Sequence, residues 1–289
     1  MAAKRIDKVS EDLPMNEPVS ETPKPKRGKG IYLLPNLFTT AALFAGFYAI
    51  VAAMKGHFEP AAIAIFVAMV MDGLDGRVAR LTNTQSEFGV QYDSLADMVS
   101  FGLAPALVVY QWALSGLGKP GWLASFIFAA CAALRLARFN TQVGIVDKRY
   151  FQGLASPAGA AVIAGLVWVG AEHQFDGADI SAVVFVLTVV VGLLMVSNVR
   201  YHSFKDFDLK GKVPFVAAVV VILVFAVIFI KPPEVLFGLA LIYALSGPIL
   251  TLVQLRRRRE ERAQASSGSA DKNDKRHPSD SEDGVGKKD

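Results

Sequence analysis

The chain has a single cysteine, Cys131, and only four histidines among its 289 residues. One thiol makes no intrachain disulfide, which excludes a disulfide-stapled secreted scaffold. Charge is scarce as well: Lys, Arg, Asp and Glu make up 19% of the chain, where a soluble domain carries about 25%. More than half of these 30 basic and 26 acidic residues lie in residues 1–30 and 256–289. The long stretch between the two ends is therefore too poor in charge for a soluble globular enzyme or a nucleic-acid-binding domain. Residues 1–30 also hold no apolar stretch that could form the core of a signal peptide.

What is abundant is apolar. Hydrophobic residues make up 53% of the chain and the mean hydropathy is +0.38. The apolar runs predict helices over 32–54, 58–81, 91–116, 120–140, 156–173, 178–198, 213–231 and 234–255. The expected fold is thus an all-α, polytopic integral membrane protein with about eight transmembrane helices. Three parts follow: a basic, disordered arm over 1–30, a membrane-embedded domain over 31–255, and a disordered charged tail over 256–289. With eight spans both termini share a side. That side would carry 27 of the 30 Lys and Arg residues, leaving Lys55, Lys119 and Lys231 opposite. This asymmetry places both termini in the cytoplasm. Cys131, inside an apolar run, reads as a small packing residue.

The few charges of the middle are concentrated. One predicted helix ends Asp72-Gly73-Leu74-Asp75-Gly76-Arg77-Val78-Ala79-Arg80, and the next opens Gly89-Val90-Gln91-Tyr92-Asp93-Ser94-Leu95-Ala96-Asp97. Asp72 and Asp75 are three apart and Asp93 and Asp97 four apart, so each pair shares one helical face. The short 82–88 connection makes the two helices antiparallel neighbours. Four convergent carboxylates at one membrane face cannot all stay ionised without a cation. Their oxygens suit one or two hard ions such as Mg²⁺, Mn²⁺ or Ca²⁺, and a pair of ions is a recurrent clamp for displacement at phosphorus. Gly73, Gly76 and Gly89 leave backbone open to a bulky phosphate ester, Ala79 leaves room on the Asp72/Asp75 face, and Arg80 offers a planar fork of donors.

The run Asp72-x2-Asp75-Gly76-x2-Ala79-Arg80-x8-Gly89-x3-Asp93-x3-Asp97 resembles the signature of the CDP-alcohol phosphatidyltransferase family at every defined position. The resemblance implies a six-helix membrane core, usually dimeric, that moves a phosphatidyl or phosphoalcohol group from a CDP-linked donor to a hydroxyl and releases CMP. It further implies that Asp72, Asp75, Asp93 and Asp97 bind two divalent ions, Mg²⁺ or Mn²⁺, with Asp93 and Asp97 at the reacting centre and Asp97 as general base. Gly76, Ala79, Arg80 and Gly89 would line the CDP site, with Asn36 and Thr39 near cytidine or ribose. Segments 35–40, 92–102, 134–140, 156–158 and 197–201 resemble the bacterial branch whose donor is CDP-diacylglycerol and whose acceptor is L-serine. That branch lies in the inner membrane, among lipid, as a homodimer without nucleic acid.

Serine is a zwitterion, so its site needs donors for a carboxylate. Arg135 and Arg138, three apart at the end of the fourth predicted helix, are the candidates, with Asn140 beside them. A phosphorylated acceptor such as glycerol 3-phosphate or inositol phosphate would want a further basic cluster, and choline an aromatic cage; neither is evident. An ion-coupled transporter would carry its carboxylates at mid-span and repeat them in two halves. Here they occur once, at one face. His57, His173 and His202 read as solvated, and Trp112, Trp122 and Trp168 as packing or interface residues.

Overall fold

The computed structural model describes residues 33–82, 84, 86–142, 150–202, 223 and 226–251. The expected arms over 1–30 and 256–289 lie outside the described residues, as does most of the apolar run 213–231.

Helices α1 (Leu33–Met54) and α2 (Phe58–Thr82) form a hairpin. It turns at Lys55–His57, where Gly56 takes a φ of 77°, a conformation that glycine adopts without steric cost. The seam between the helices is built of alanine. Ala42, Ala45, Ala49, Ala52 and Ala53 are buried on α1, as are Ala61, Ala62, Ala64 and Ala68 on α2. Spacings of three and four place such residues on one face, and small side chains let helix backbones approach closely in lipid. The outward residues Phe44, Phe47, Met54, Val67 and Val70 stay exposed. Water would penalise that surface; a bilayer does not.

The next rod, α3, runs from Glu87 to Leu117. Ser86 caps its start, its Oγ accepting from the Gly89 amide at 3.0 Å. The rod widens into π-turns at Met98–Leu103 and Tyr110–Leu114. Pro105 opens the α-helical segment between them. Its missing N–H and its ring exclude an ordinary bond to the Phe101 carbonyl, which relaxes the ladder just after Asp97. Ser100 within this turn donates to the Ala42 carbonyl at 3.0 Å and pins α3 to α1.

Helix α4 (Lys119–Gln142) packs on α6 (Ser181–Val196), and α5 (Ser156–Glu172) packs on α2. The last described helix, α7, spans Pro232–Thr251. Two three-residue strands, β1 (Tyr150–Gln152) and β2 (Arg200–His202), pair antiparallel with Phe151 opposite Tyr201. This short ribbon sits in an otherwise helical architecture, as the all-α expectation has it. The chain leaves α4 and α6 on the same side, and the segments that follow satisfy their backbone groups on each other.

Among the described residues, four helices are long and apolar enough to cross a bilayer: Leu34–Met54, Glu87–Leu117, Lys119–Thr141 and Pro232–Thr251. Helices α5 and α6 are apolar but have 17 and 16 residues, and α2 carries Asp72, Asp75, Arg77 and Arg80 at its end. The molecule is a helical membrane protein. Cys131 is buried in the core, as is Trp112. Trp168 lies 5.7 Å from the ring of Phe66, and Trp122 is exposed.

Candidate functional site

The end of α2 and the start of α3 bring their acidic residues together. Asp72, Asp75 and Asp93 each offer a carboxylate oxygen, and the three oxygens lie within 4.8 Å of one another. Asp97, one turn further along α3, joins through Asp72, whose carboxyl is its hydrogen-bond partner. The four expected carboxylates therefore share one site, with three in a tight set and Asp97 at its edge. Asp75 is 5% exposed and the other three are half-buried.

Among the described residues no Lys or Arg forms an ion pair with these carboxylates; the recorded pairs join Glu234 to His173 and Lys231. Packed carboxylate oxygens without a cationic side chain are the donor set of a hard divalent cation, and the cluster could hold one. The support around it is specific. The hydroxyl of Thr39 on α1, itself buried, reaches Asp75 Oδ2 at 2.7 Å and the Pro35 carbonyl at 3.2 Å. It has one proton, and the shorter contact to a carboxylate is the stronger bond. Next to it, Thr40 and the Tyr92 hydroxyl meet at 2.9 Å and tie α1 to α3.

The residues expected to meet a nucleotide surround this rim. A Cβ built on Gly73 or Gly76 would meet nothing within 4 Å, so the space beside the carboxylates is open. Arg80, exposed, donates from Nε to the Gly76 carbonyl at 2.9 Å, which leaves the rest of its guanidinium fork for a ligand. Asn36 Oδ1 lies 3.5 Å from where a Gly89 Cβ would stand. Ala79 is half-buried on the same stretch of α2. On the other flank the two arginines part company. Arg135 donates from Nη1 to Ser156 Oγ at 3.0 Å and feels the charge of Asp97, while its buried Nε has no partner among the described residues. Arg138 is engaged by Gln152 Oε1 and Asn198 Oδ1, each at 2.7 Å, and by the Val196 carbonyl at 3.3 Å. Asn140 donates to Ser94 Oγ at 3.0 Å and joins α4 to α3 beside Asp93.

The profile of the CDP-alcohol phosphatidyltransferase family matches residues 32–194. The chain belongs to that family. In this phosphatidyltransferase the match takes in the whole carboxylate cluster, Asn36, Thr39, the two arginines and Ser156, and it stops short of β2 and α7. The chain is 37% identical over 228 residues to the CDP-diacylglycerol–serine O-phosphatidyltransferase of Helicobacter pylori strain J99, covering 78% of this chain and 94% of that one. It is 38% identical over 185 residues to the enzyme of the same name from Mycobacterium bovis, covering 61% and 63%. The enzyme so named from Methanocaldococcus jannaschii is 36% identical over 185 residues, covering 64% and 81%.

Sequence reasoning found the carboxylates because like charges at helical spacing are conspicuous in an apolar chain. It missed the roles of Tyr92, Ser94 and Ser156, whose hydroxyls serve the site from positions that spacing does not distinguish. It also treated Arg138 as the twin of Arg135, although Gln152 and Asn198 are brought to Arg138 only by the fold. Of the histidines, His57 is exposed, and His173 is exposed but bonded to Glu234 at 3.2 Å rather than merely solvated. The side chain of His202 lies outside the described residues.

Proposed function

We propose that this protein transfers the phosphatidyl group of CDP-diacylglycerol to the hydroxyl of L-serine and releases CMP, making phosphatidylserine. The observation that carries the reading is the packing of Asp72, Asp75 and Asp93 beside the open face of Gly73 and Gly76. The names of relatives from bacteria and an archaeon support the same donor and acceptor.

Asp72, Asp75, Asp93 and Asp97 hold the divalent ions. Bound there, Mg²⁺ or Mn²⁺ (two ions, by the family resemblance) would lower the charge barrier at the pyrophosphate and stabilise departing CMP. Gly76, Ala79 and Gly89 admit the nucleotide, Arg80 pairs with a phosphate, and Asn36 and Thr39 stand at the cytidine end. Arg135 receives the serine carboxylate, its unpartnered Nε being the donor in want of an acceptor. Arg138 and Asn140 hold that flank in place. Asp97 takes the proton of the serine hydroxyl as its oxygen bonds to phosphorus and the phosphorus–oxygen bond to CMP breaks. Positioning and charge neutralisation supply most of the catalysis.

In this reading the chain crosses the bacterial inner membrane eight times between its charged arms over 1–30 and 256–289, and works as a homodimer. The 27-to-3 division of Lys and Arg supports a cytoplasmic site and cytoplasmic termini. The test is CMP release by purified protein given CDP-diacylglycerol, Mn²⁺ or Mg²⁺, and labelled serine, glycerol 3-phosphate, inositol phosphate or choline in turn. Serine-dependent release with labelled phosphatidylserine is expected. Phosphatidylglycerophosphate as the sole product would overturn the serine assignment and leave the transferase chemistry standing.

A further inference from the structure

Two contacts fix how α4 lies along α3. Asn140 donates to Ser94 Oγ at 3.0 Å, and the Ala132 methyl stands 3.3 Å from where a Gly102 Cβ would be. Each helix advances eight residues between these contacts, in opposite senses, so the pair runs antiparallel. The same register sets Arg135 opposite Val99, two residues past Asp97, an axial offset of about 3 Å. Arg135 therefore leaves α4 level with Asp97. Its Nη1 donates to Ser156 Oγ at 3.0 Å, and its buried Nε has no partner among the described residues. Ser156 is fully buried and opens α5. The chain just before it is pinned to the end of α6 and the residues that follow. Gly153 donates to the Val199 carbonyl at 2.8 Å, and Leu154, itself fully buried, donates to the Leu194 carbonyl at 3.0 Å. Gly153 makes this turn with a φ of 78°, and a Cβ there would run into the Met195 carbonyl. The Ser156 oxygen thus has a fixed seat.

We infer that Ser156 is a positioning residue for the acceptor: its oxygen holds Nη1 of Arg135 so that the remaining donors of the guanidinium meet the serine carboxylate beside Asp97. The inference rests on the serine reading above. Buried hydroxyls of apolar helices commonly bond their own backbone, as the fully buried Thr188 does by donating to the Val184 carbonyl at 2.7 Å. The Ser156 oxygen instead crosses to another helix and accepts from the cation of the acceptor flank. A guanidinium is a rigid planar fork, so holding one N–H sets the direction of the rest. A free arginine side chain loses rotamer freedom each time a carboxylate binds, and one held in advance does not. Ser156 touches no substrate in this account and acts through Arg135.

The test uses the purified full chain with CDP-diacylglycerol and Mn²⁺. It compares the unaltered protein with Ser156→Ala, Ser156→Thr, Arg135→Ala and the variant carrying both alanines. Ser156→Ala is expected to raise the KM for L-serine about tenfold, the worth of one hydrogen bond to a charged group, while kcat and the KM for CDP-diacylglycerol stay within about twofold. Ser156→Thr keeps the hydroxyl and should restore most of the serine affinity. Added to Arg135→Ala, Ser156→Ala should change the serine KM by less than about twofold, because the two side chains act as one unit. Should the threonine methyl crowd its buried seat, the double variant still decides. An unchanged serine KM in Ser156→Ala, equal losses with and without Arg135, or a rise of both KM values together with a lower melting temperature would overturn the inference. Unaltered protein that releases CMP without regard to serine, or Arg135→Ala with an unchanged serine KM, would instead overturn the reading on which the inference rests.

Discussion

Thr39 and Asp75 stand 36 positions apart, and the threonine hydroxyl meets the aspartate Oδ2 at 2.7 Å in a buried contact. A donor so placed fixes the orientation of a carboxylate that belongs to the cluster. Partners of this kind are worth about 10- to 100-fold in metal affinity or activity. Thr39→Val, which keeps the shape and removes the donor, is expected to weaken Mn²⁺ activation by that factor. Thr39→Ser should retain most of it. Activity titrated against Mn²⁺ measures both.

Gly76 faces open space, so nothing in the protein resists a methyl group there. Alanine also favours a helix interior over glycine by about 1 kcal/mol. Gly76→Ala should therefore unfold no earlier than the parent on heating, yet turn over at least about tenfold more slowly because the methyl meets the ligand. Loss of stability together with activity would show that the position serves packing.

The two arginines should fail in different ways. Arg135→Ala is expected to raise the KM for serine about tenfold or more, the range of a lost charge-assisted bond, with little change in the KM for CDP-diacylglycerol. Arg138→Ala deletes the bonds to Gln152, Asn198 and the Val196 carbonyl. It should lower thermal stability by about 1–3 kcal/mol and affect both substrates alike. Steady-state kinetics paired with thermal unfolding separate the two. An unchanged serine KM in Arg135→Ala refutes its role as the carboxylate partner.

Chelation offers a fourth check. Treatment with EDTA should abolish CMP release, and added Mn²⁺ or Mg²⁺ should restore it. Asp93→Asn should lose about three orders of magnitude in turnover, given the several kcal/mol a catalytic cation supplies, and no amount of metal should rescue it.

The parts of this molecule legible in its sequence are those governed by one period. Leu33–Met54 and Phe58–Thr82 fall within a residue or so of the expected runs 32–54 and 58–81, because apolar length and the Gly56 turn leave little choice. The carboxylate cluster was legible because two helical spacings and a short connection suffice to bring four side chains together. Contacts set by distant segments were not. Nothing near Arg138 announces Gln152 or Asn198. The π-turn at Met98–Leu103 lies just before Pro105 and carries the Ser100 bond to Ala42, which periodicity alone does not reveal. The runs 156–173 and 178–198 give helices of 17 and 16 residues, α5 and α6, because polar residues close both ends of each.

The account stands or falls on whether the α2 and α3 carboxylates bind a cation jointly. Electron paramagnetic resonance of free Mn²⁺, titrated with purified protein, measures this without reference to turnover. Saturable depletion of the free signal is expected for the parent chain and for His57→Ala, with loss of binding in Asp75→Asn and in Asp93→Asn. Equal binding by the parent and both aspartate variants would contradict it.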